Sequence, residues 1–568
     1  MSQLRQTSIG IAIAIFITAC GGGGGNEQFN APGIDTGSVS SQIPQTSAST
    51  PAGIPQIGAA LASAPLNDDF DAVRFLHRTS FGPREEEIDK LRDAGYANWI
   101  YQQMQLPPTF LMPLTRARAE PRWGEHVTNW LELSVMAEDQ LRQRVAFALS
   151  QLFVVSDQDG LGQQQVALAN YYDLLIANSF GNFRDLLEQV TLSPVMGDYL
   201  SMKGNQKADT EKNIRPDENF ARELLQLFTI GLVQLNIDGT VQHDADGTPV
   251  PTYDQEVVEG FAKVFTGWHF KDVDNWNYPS VKDWFTPMQP YPERHASGEK
   301  LLLNGVVLPA GQSIEKDLQD ALDNVFNHPN VGPFFARHMI RQLVTSNPSD
   351  HYVERVAKVF NADSNSERGN IAAVVTAVLL DEEALTGHQT NPESFGKLRE
   401  PLIRMVGLWR AFNANPSHPQ FDYGWIANRL SQGPLQSPSV FNFFSPDFSQ
   451  SGPIRDAGLL SPEFQLMNES SIIDITSALF AHTVWINTNS ESDYSNAPIE
   501  LRPLIEMDGD FNAQLAFLSR LTLGQPASSA LQQQAKYIIE KRENTEAEVR
   551  AEDLLFLFAS SPEAAIQR

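Results

Sequence analysis

Apolar residues recur at helical spacing through most of the chain after residue 67, and this periodicity limits the fold more than any other feature. Leu141, Val145, Leu149 and Leu152, for example, fall on one face of a helix. Alternation of apolar and polar residues, which is typical of strands, is confined to short runs. The pattern predicts a mainly α fold, in which a large multi-helical globular domain carries a small inserted β-hairpin and long loops.

The same spacing locates the predicted helices along the chain. Residues 270–312 have little period, and we expect a long loop there with short strands at 301–303 and 306–308. Helices are predicted from Phe70 to Arg78, from Pro83 to Gly95, around Trp99–Met104, and over Glu138–Val155, Tyr171–Leu200 (broken near Gly181), Ile314–Phe326, Pro333–Val344, His351–Phe360, Ile371–Leu379, Phe395–Phe412, Pro462–Phe480, Gln514–Leu523, Gln532–Lys541 and Glu546–Ala559.

The stretch Asn213–His269 carries the densest pattern in the chain. Pro216 suits the first turn of a helix because its φ is preset, and Gly231 suits the end. A second helix is predicted after Thr252, which forms a capping-box pattern with Gln255. Between the two helices lie two turn signals, Asp238-Gly239 and Asp246-Gly247, which predict the β-hairpin.

The chain has 568 residues, and this length favours two or three packed subdomains over one core. The helical domain is predicted to span residues 67–568, with a division into 67–312 and 313–568. The formal net charge is −28, which disfavours binding to the phosphates of nucleic acid.

The first 66 residues resemble a bacterial lipoprotein leader and tether. A basic Arg5 and a short apolar run precede Ile17-Thr18-Ala19-Cys20, which resembles a lipobox, and Cys20 is the only cysteine. Residues 1–19 are predicted to be a signal peptide and 20–66 a lipidated Gly/Ser/Pro-rich tether. Gly21 after the cysteine resembles the outer-membrane default, so we expect a lipid-anchored protein of the cell envelope. The alternative is an incidental cysteine in a signal segment.

Several blocks in order resemble a large bacterial family, the domain-of-unknown-function 1800 family. The resemblance runs from about residue 67 to the C-terminus and implies a fold and candidate positions without implying a reaction. The chain departs from the family pattern at Ser150-Gln151, where many members have a histidine pair, and at Ala296, where many have aspartate. The matching blocks are Arg74–Pro83, Glu218–Gly231, Phe265–Trp268, His295 with Gly298 and Lys300, His328–Asn330, Lys397–Pro401 and Ser437–Pro446.

Glu218, Arg222 and Glu223 form the candidate catalytic set. An arginine between two carboxylates suits an anionic or sugar-like group, with one carboxylate as general acid or base. The alternative is a buried ion-pair network that locks this helix to its neighbours.

Trp268, His295 and Lys300 are predicted to bind substrate, with His295 and Lys300 forming an anion clamp; ordinary loop solvation is the alternative. Imidazoles from His269, His295 and His328 are suitable metal ligands, but their spacing contains no close pair, and no metal site is predicted. The sequence predicts no particular cofactor.

Two function classes remain open from sequence. One is an extracytoplasmic hydrolase or transferase that acts on a polymer through the Glu/Arg set. The other is a noncatalytic binding or scaffold lipoprotein that docks an envelope protein or polymer, with the motifs serving packing.

Overall fold

Helices make up 57% of the computed structural model of this protein, which confirms the predicted mainly α fold. The structure describes residue 66 and residues 68–117, 124–158, 160–414, 426–485 and 499–568. The predicted signal peptide, Cys20 and tether residues 20–65 lie outside the described residues, and so does Asn67.

The α-helices of the described residues follow one another along most of the chain. In chain order they are α1 (Asp69–Thr79), α2 (Glu85–Ala94), α3 (Tyr96–Gln105), α4 (Leu111–Arg116), α5 (Glu125–Met136), α6 (Gln140–Ser150), α7 (Gln165–Asn178), α8 (Phe183–Leu192), α9 (Pro194–Tyr199), α10 (Asn219–Glu223), α11 (Gln255–Val264), α12 (Ile314–Phe326), α13 (Val331–Leu343), α14 (Asp350–Asn361), α15 (Ile371–Leu380), α16 (Glu382–Thr390), α17 (Pro401–Ala411), α18 (Ile426–Leu430), α19 (Pro453–Asp456), α20 (Glu469–Phe480), α21 (Arg502–Glu506), α22 (Phe511–Leu518), α23 (Ser529–Lys541), α24 (Ala547–Ser560) and α25 (Pro562–Ala565). Single π-helical turns follow α10, α20 and α22, at Leu224–Thr229, Ala481–Trp485 and Ser519–Leu523. Short 3₁₀ turns lie at Gly160–Gln163, Pro292–Arg294, Leu303–Gly305 and Pro462–Leu466.

The strands are very short and form antiparallel pairs among the described residues. They are β1 (Trp268–His269) with β2 (Gln289–Pro290), β3 (Lys300–Leu301) with β4 (Val307–Leu308), and β5 (Lys397–Leu398) with β6 (Ile566–Gln567). The strands predicted in the long loop near residues 301 and 307 are therefore confirmed. The β5–β6 pair ties the Lys397–Pro401 block to a segment more than a hundred residues later, which no local pattern indicates.

The core is centred on α15, in which every residue is buried. Helix α14 packs against both α13 and α15, and α16 follows against the same group. A helix such as α15, in which Thr376 is the only polar residue, belongs in the interior because it has no polar face to offer to water. The predicted α12 and α15 agree with the structure to within one residue at either end.

Helices from both predicted subdomains share this interior. Helix α8 packs against α12, and the buried Arg144 of α6 donates to the Gln342 carbonyl of α13 at 2.6 Å. The described residues belong to one compact unit. The division at residue 312 stays a prediction.

The insertion between α10 and α11 contains the predicted hairpin in an irregular form. Three extended segments pair through single bridges, Val233 with Pro251, Leu235 with Val241 and His243 with Pro249. Gly239 and Gly247 sit in the two turns at a φ of +79°, which glycine adopts without steric cost. The turn signals were thus sufficient to locate the insertion.

Several local features differ from the prediction. Helix α5 was not predicted, because it is buried on nearly all sides and shows no polar-to-apolar period. The helix predicted over Phe395–Phe412 begins only at Pro401, since residues before a proline avoid the helical region. Pro216 precedes α10 rather than lying in its first turn.

Among the described residues, no helix combines the length and the apolar character that a membrane span requires.

Candidate functional site

Glu218, Arg222 and Gln255 form a closed ring of hydrogen bonds at the start of α10 and α11. The Arg222 guanidinium donates to Glu218 Oε2 at 2.9 Å and to Gln255 Oε1 at 3.2 Å. The Gln255 amide donates to Glu218 Oε2 at 2.9 Å. The Arg222 and Glu218 side chains are 41% and 34% exposed. An ion pair this open to solvent stabilises a protein by less than about 1 kcal/mol, so its contribution to folding is small.

Glu223 differs from Glu218 in its surroundings. It is the last residue of α10 before the π-helical turn, and it is 7% exposed. Its Oε2 atom is buried and accepts no hydrogen bond from the described residues. Burial raises the pKa of the Glu223 carboxyl, and the nearby Arg222 partly offsets this by lowering the same pKa. A buried carboxyl with a raised pKa and a free oxygen is suited to take up or deliver a proton.

Tyr253 also belongs to this group, although no pattern in the sequence marks it as a site residue. Its hydroxyl is buried without a hydrogen-bond partner. Burial raises the pKa of the phenol, Arg222 lowers it and Glu223 raises it, so Tyr253, Arg222 and Glu223 share one electrostatic environment. Tyr253 lies within the Asn213–His269 stretch, but no spacing rule singles out a phenol that precedes a helix.

Packing between α10 and α11 holds these groups in place. The rings of Phe220 and Phe265 meet edge to face at 4.9 Å. Thr252 donates its hydroxyl to the Gly231 carbonyl at 2.5 Å, which closes the end of the insertion. The cap of α11 is Asp254, which accepts from the Val257 amide at 3.1 Å. The predicted Thr252 capping box is therefore wrong, and Gln255 is left to bind Glu218 and Arg222.

Trp268 is placed in the interior. It is 3% exposed, and its carbonyl accepts from the Gly204 amide at 2.9 Å. Its strand β1 pairs with β2, and its indole Nε1 is buried without a partner. A substrate would reach this ring only after a rearrangement of the surrounding chain.

His295 and Lys300 both contact Asp317, a residue that no sequence pattern marks as part of the site. Asp317 of α12 lies 2.8 Å from His295 Nε2 and 2.6 Å from Lys300 Nζ, both measured to Asp317 Oδ2. Lys300 and Asp317 are fully buried, and His295 is nearly so. His295 Nδ1 also lies 2.8 Å from the Thr266 carbonyl. Buried charges in this arrangement link the long loop to α12 and are closed to a bulky substrate.

The structure therefore separates the predicted site residues into two groups. Glu218, Arg222 and Glu223 lie together at α10, and Arg222 and Glu223 both act on the pKa of Tyr253. His295 and Lys300 lie together on Asp317. Among the described residues, no hydrogen bond or ion pair joins one group to the other.

The histidines weighed as metal ligands are each held separately. His269 Nδ1 accepts from the Phe270 amide at 2.7 Å, and its Nε2 lies 3.0 Å from the Trp276 carbonyl. His328 Nδ1 accepts from the Asn330 amide at 3.2 Å. Within the part of the chain that the structure describes, no three His, Cys, Asp or Glu side chains are grouped to hold a metal ion.

A second buried polar cluster surrounds Glu400 and was also missed. The Gln151 amide donates to Glu400 Oε2 at 2.9 Å, and Gln432 donates to the same oxygen. Lys397 pairs with Glu463 at 2.8 Å. Burial raises the pKa of the Glu400 carboxyl, while Lys397 and then Arg144 lower it. Gln151, from the Ser150-Gln151-Leu152 segment where the chain departs from the family pattern, thus contacts the Lys397–Pro401 block directly.

Comparisons with known proteins show which family the chain belongs to. No curated protein and no solved structure matches the chain. The family model described as "Protein of unknown function (DUF1800)" matches residues 74–566. This match covers most of the chain, including the α10–α11 site and both buried polar clusters, and it shows that the protein belongs to the DUF1800 family.

Proposed function

We propose that this protein is a lipid-anchored enzyme of the cell envelope, a hydrolase or transferase of an extracytoplasmic polymer, with Glu223 as its general acid or base. Two observations support this assignment: Glu223 Oε2 and the Tyr253 hydroxyl are buried without a hydrogen-bond partner among the described residues, and the Glu223 carboxylate acts electrostatically on Tyr253 by raising its pKa. Native proteins rarely leave such groups unpaired, because each costs about 1–3 kcal/mol. A substrate hydroxyl or leaving-group oxygen would supply the missing partner.

The neighbouring groups give each residue a role. Glu223 exchanges the proton, and its raised pKa keeps the protonated form available closer to neutral pH. Tyr253 offers an O–H to the same substrate atom or to its neighbour. Arg222 supplies positive charge to an anionic or sugar-like group, while Glu218 and Gln255 act as positioning residues that fix the guanidinium.

Replacing Glu223 by glutamine tests the chemistry. The full chain is incubated with peptidoglycan sacculi and with soluble envelope polysaccharides, and newly formed reducing ends and free amines are counted. Because glutamine keeps the shape but cannot exchange the proton, we expect Glu223→Gln to lower the rate at least about 100-fold. Glu256→Gln is the control: it changes an exposed carboxylate on α11, directly after Gln255, for which no hydrogen bond to the Glu218–Arg222–Gln255 ring is found among the described residues, and it should leave the rate unchanged.

The pH dependence of stability shows whether the Glu223→Gln variant is correctly folded. When folding raises the pKa of a carboxyl, the protein loses stability as the pH rises above the pKa that this carboxyl has in the unfolded chain. We therefore expect Glu223→Gln to gain stability over wild type at neutral pH and to show no gain below pH ~4. Urea unfolding at both pH values measures this. Wild-type activity retained by Glu223→Gln, or no product from any polymer with the wild-type chain, contradicts the proposed catalytic role.

The second candidate is a noncatalytic binding or scaffold lipoprotein, and one observation favours it. His295 and Lys300, two of the predicted substrate-binding residues, are buried and paired with Asp317. In a scaffold protein, these motif residues would stabilise the packing of the fold. The scaffold role predicts that the chain sediments with sacculi equally well in wild-type and Glu223→Gln form and releases no fragments.

The lipid anchor is tested separately. Cys20→Ser removes the thiol that would carry the lipid, so the expressed full chain should no longer incorporate a fatty-acid probe in bacterial cells and should leave the membrane fraction. Gly22→Ala is the matched control within the glycine run and should label as wild type. Labelling that persists in Cys20→Ser would refute the anchor at this residue.

A further inference from the structure

A small cavity separates α1 and α17 from the helices near the C-terminal end of the sequence. Its volume is about 20 Å³, which is enough for one water molecule or one small ion. His77, Arg399 and Arg404 contribute its polar wall. The remaining wall is mostly aliphatic, with Leu408, Ala411, Leu479, Leu521 and Ala559.

The two arginines leave donors unused at this cavity. Arg399 donates to His77 Nδ1 at 3.1 Å, to the Thr522 carbonyl at 2.8 Å and to the Ala564 carbonyl, yet its Nε is buried without an acceptor among the described residues. Arg404 donates to the carbonyls of Ala559 and Ser561, and its Nε is likewise buried and unpaired. Each guanidinium therefore has an N–H that no described protein atom accepts.

Carboxylates of the described residues do not neutralise this positive charge. In the described residues, neither Arg399 nor Arg404 has an Asp or Glu within ion-pair distance, whereas buried cations such as Lys300, Lys397 and Arg410 do. Burial lowers the pKa of Arg399 to about 9 and that of Arg404 to about 10, so both carry charge at neutral pH. The pKa of His77 is lowered by burial and then by Arg399, which keeps this ring neutral as the acceptor.

The carbonyl partners only partly compensate for this charge. Ala559 and Ser561 end α24, and Thr522 lies in the π turn after α22. A helix C-terminus is equivalent to roughly half a negative charge, which is less than each arginine brings. A buried, uncompensated cation costs several kcal/mol, and a bound anion would remove that cost.

We propose that this cavity binds one small monovalent anion of halide size, such as chloride, between Arg399 and Arg404. The anion completes the hydrogen bonds of both Nε groups and joins the Arg74–Pro83 block to the Lys397–Pro401 block through His77 and Arg399. The volume excludes a polyatomic anion with a bulky substituent. The site is independent of Glu223 and stands whether or not the protein is an enzyme.

Thermal unfolding of the full chain with exchanged anions tests this site. Sodium chloride replaces sodium gluconate at constant ionic strength, so screening stays equal while only chloride fits the cavity. From about 1 to about 100 mM chloride we expect a saturating Tm rise of roughly 3 °C in wild type. Arg404→Met, which keeps the aliphatic stem, should lose the rise. Arg92→Met, at an exposed arginine of α2, should keep it.

A crystal grown in bromide provides a readout that does not depend on a folded variant. An anomalous difference peak between Arg399 and Arg404 is expected. Equal Tm values in chloride and gluconate, or a cavity without an anomalous peak, would show that it holds water only and overturn the proposal. A Tm response that survives in Arg404→Met would do the same.

Discussion

Gly260→Ala is expected to lower the free energy of unfolding by about 3 kcal/mol or more, because it forces two backbone segments apart. Helix α11 crosses β3 so closely that a Cβ at Gly260 would fall 1.7 Å from the Leu301 carbonyl oxygen and 2.8 Å from its carbon. Neither atom belongs to a flexible side chain that could move away. Urea unfolding followed by circular dichroism at neutral pH measures the loss.

Gly298→Ala is the matched control for this prediction. Gly298 lies two residues before β3. Its φ is not positive, and a Cβ added there would meet open space. A change within about 0.5 kcal/mol is expected there. Equal stability of the two variants would contradict the close approach of α11 to β3. It would also contradict the position of Lys300, which precedes Leu301 in β3.

Asp317→Asn should be the most damaging single exchange of a polar side chain. The carboxylate is the counter-charge of the fully buried Lys300, and it also contacts His295. An amide of nearly the same shape leaves Lys300 as an unpaired charge in the interior. Breaking a buried pair in this way costs about 3–5 kcal/mol, a large part of the stability of an ordinary domain. Urea unfolding at neutral pH measures this loss too.

Two further variants separate charge from packing. Glu315→Gln, at an exposed position of α12, should change stability by less than about 0.5 kcal/mol. The double exchange Asp317→Leu with Lys300→Met removes both charges and should be more stable than Asp317→Asn, since a buried ion pair can often be replaced by apolar side chains. If the double variant is the less stable one, the pair does more than neutralise a buried charge.

These two predictions bear on the function as well as on the fold. Helix α11, which carries Gln255, contacts strand β3, which carries Lys300. The buried His295–Asp317–Lys300 cluster therefore stabilises the helix that positions the site around Glu223. Loss of this support should reduce any activity indirectly, through stability. Glu223→Gln, by contrast, should remove activity while stability at neutral pH rises.

Local periodicity explains what could be predicted about the fold. Helix α12 appears in the sequence because its apolar residues repeat at helical spacing and Ser313 caps its first turn. The same rule failed for α5, which is buried on nearly every side, and for the segment before Pro401, where β5 pairs with β6. In both cases the surrounding structure, and not the local pattern, decides the conformation.

The candidate site was predicted only in part, for a related reason. A spacing of four residues places Glu218 and Arg222 one turn apart, and Glu223 directly follows Arg222, so all three fall on adjacent faces of one helix. This spacing does not show which carboxylate is paired. In the structure, Arg222 and Gln255 both donate hydrogen bonds to Glu218. Glu223 Oε2 has no partner among the described residues, and Tyr253, whose pKa Glu223 raises, lies thirty residues later along the chain.

The sequence by itself determined the helical class, the family resemblance that the family match confirmed, and the stretch that carries the candidate site. These depend on interactions within a turn or two of helix. Only the tertiary structure decided that His295 and Lys300 meet on Asp317, that Gln151 meets Glu400 from 249 residues away, and that two arginines face one cavity without an acid. Burial and pairing arise when distant segments pack, and residue spacing along the chain does not encode that packing in a readable form.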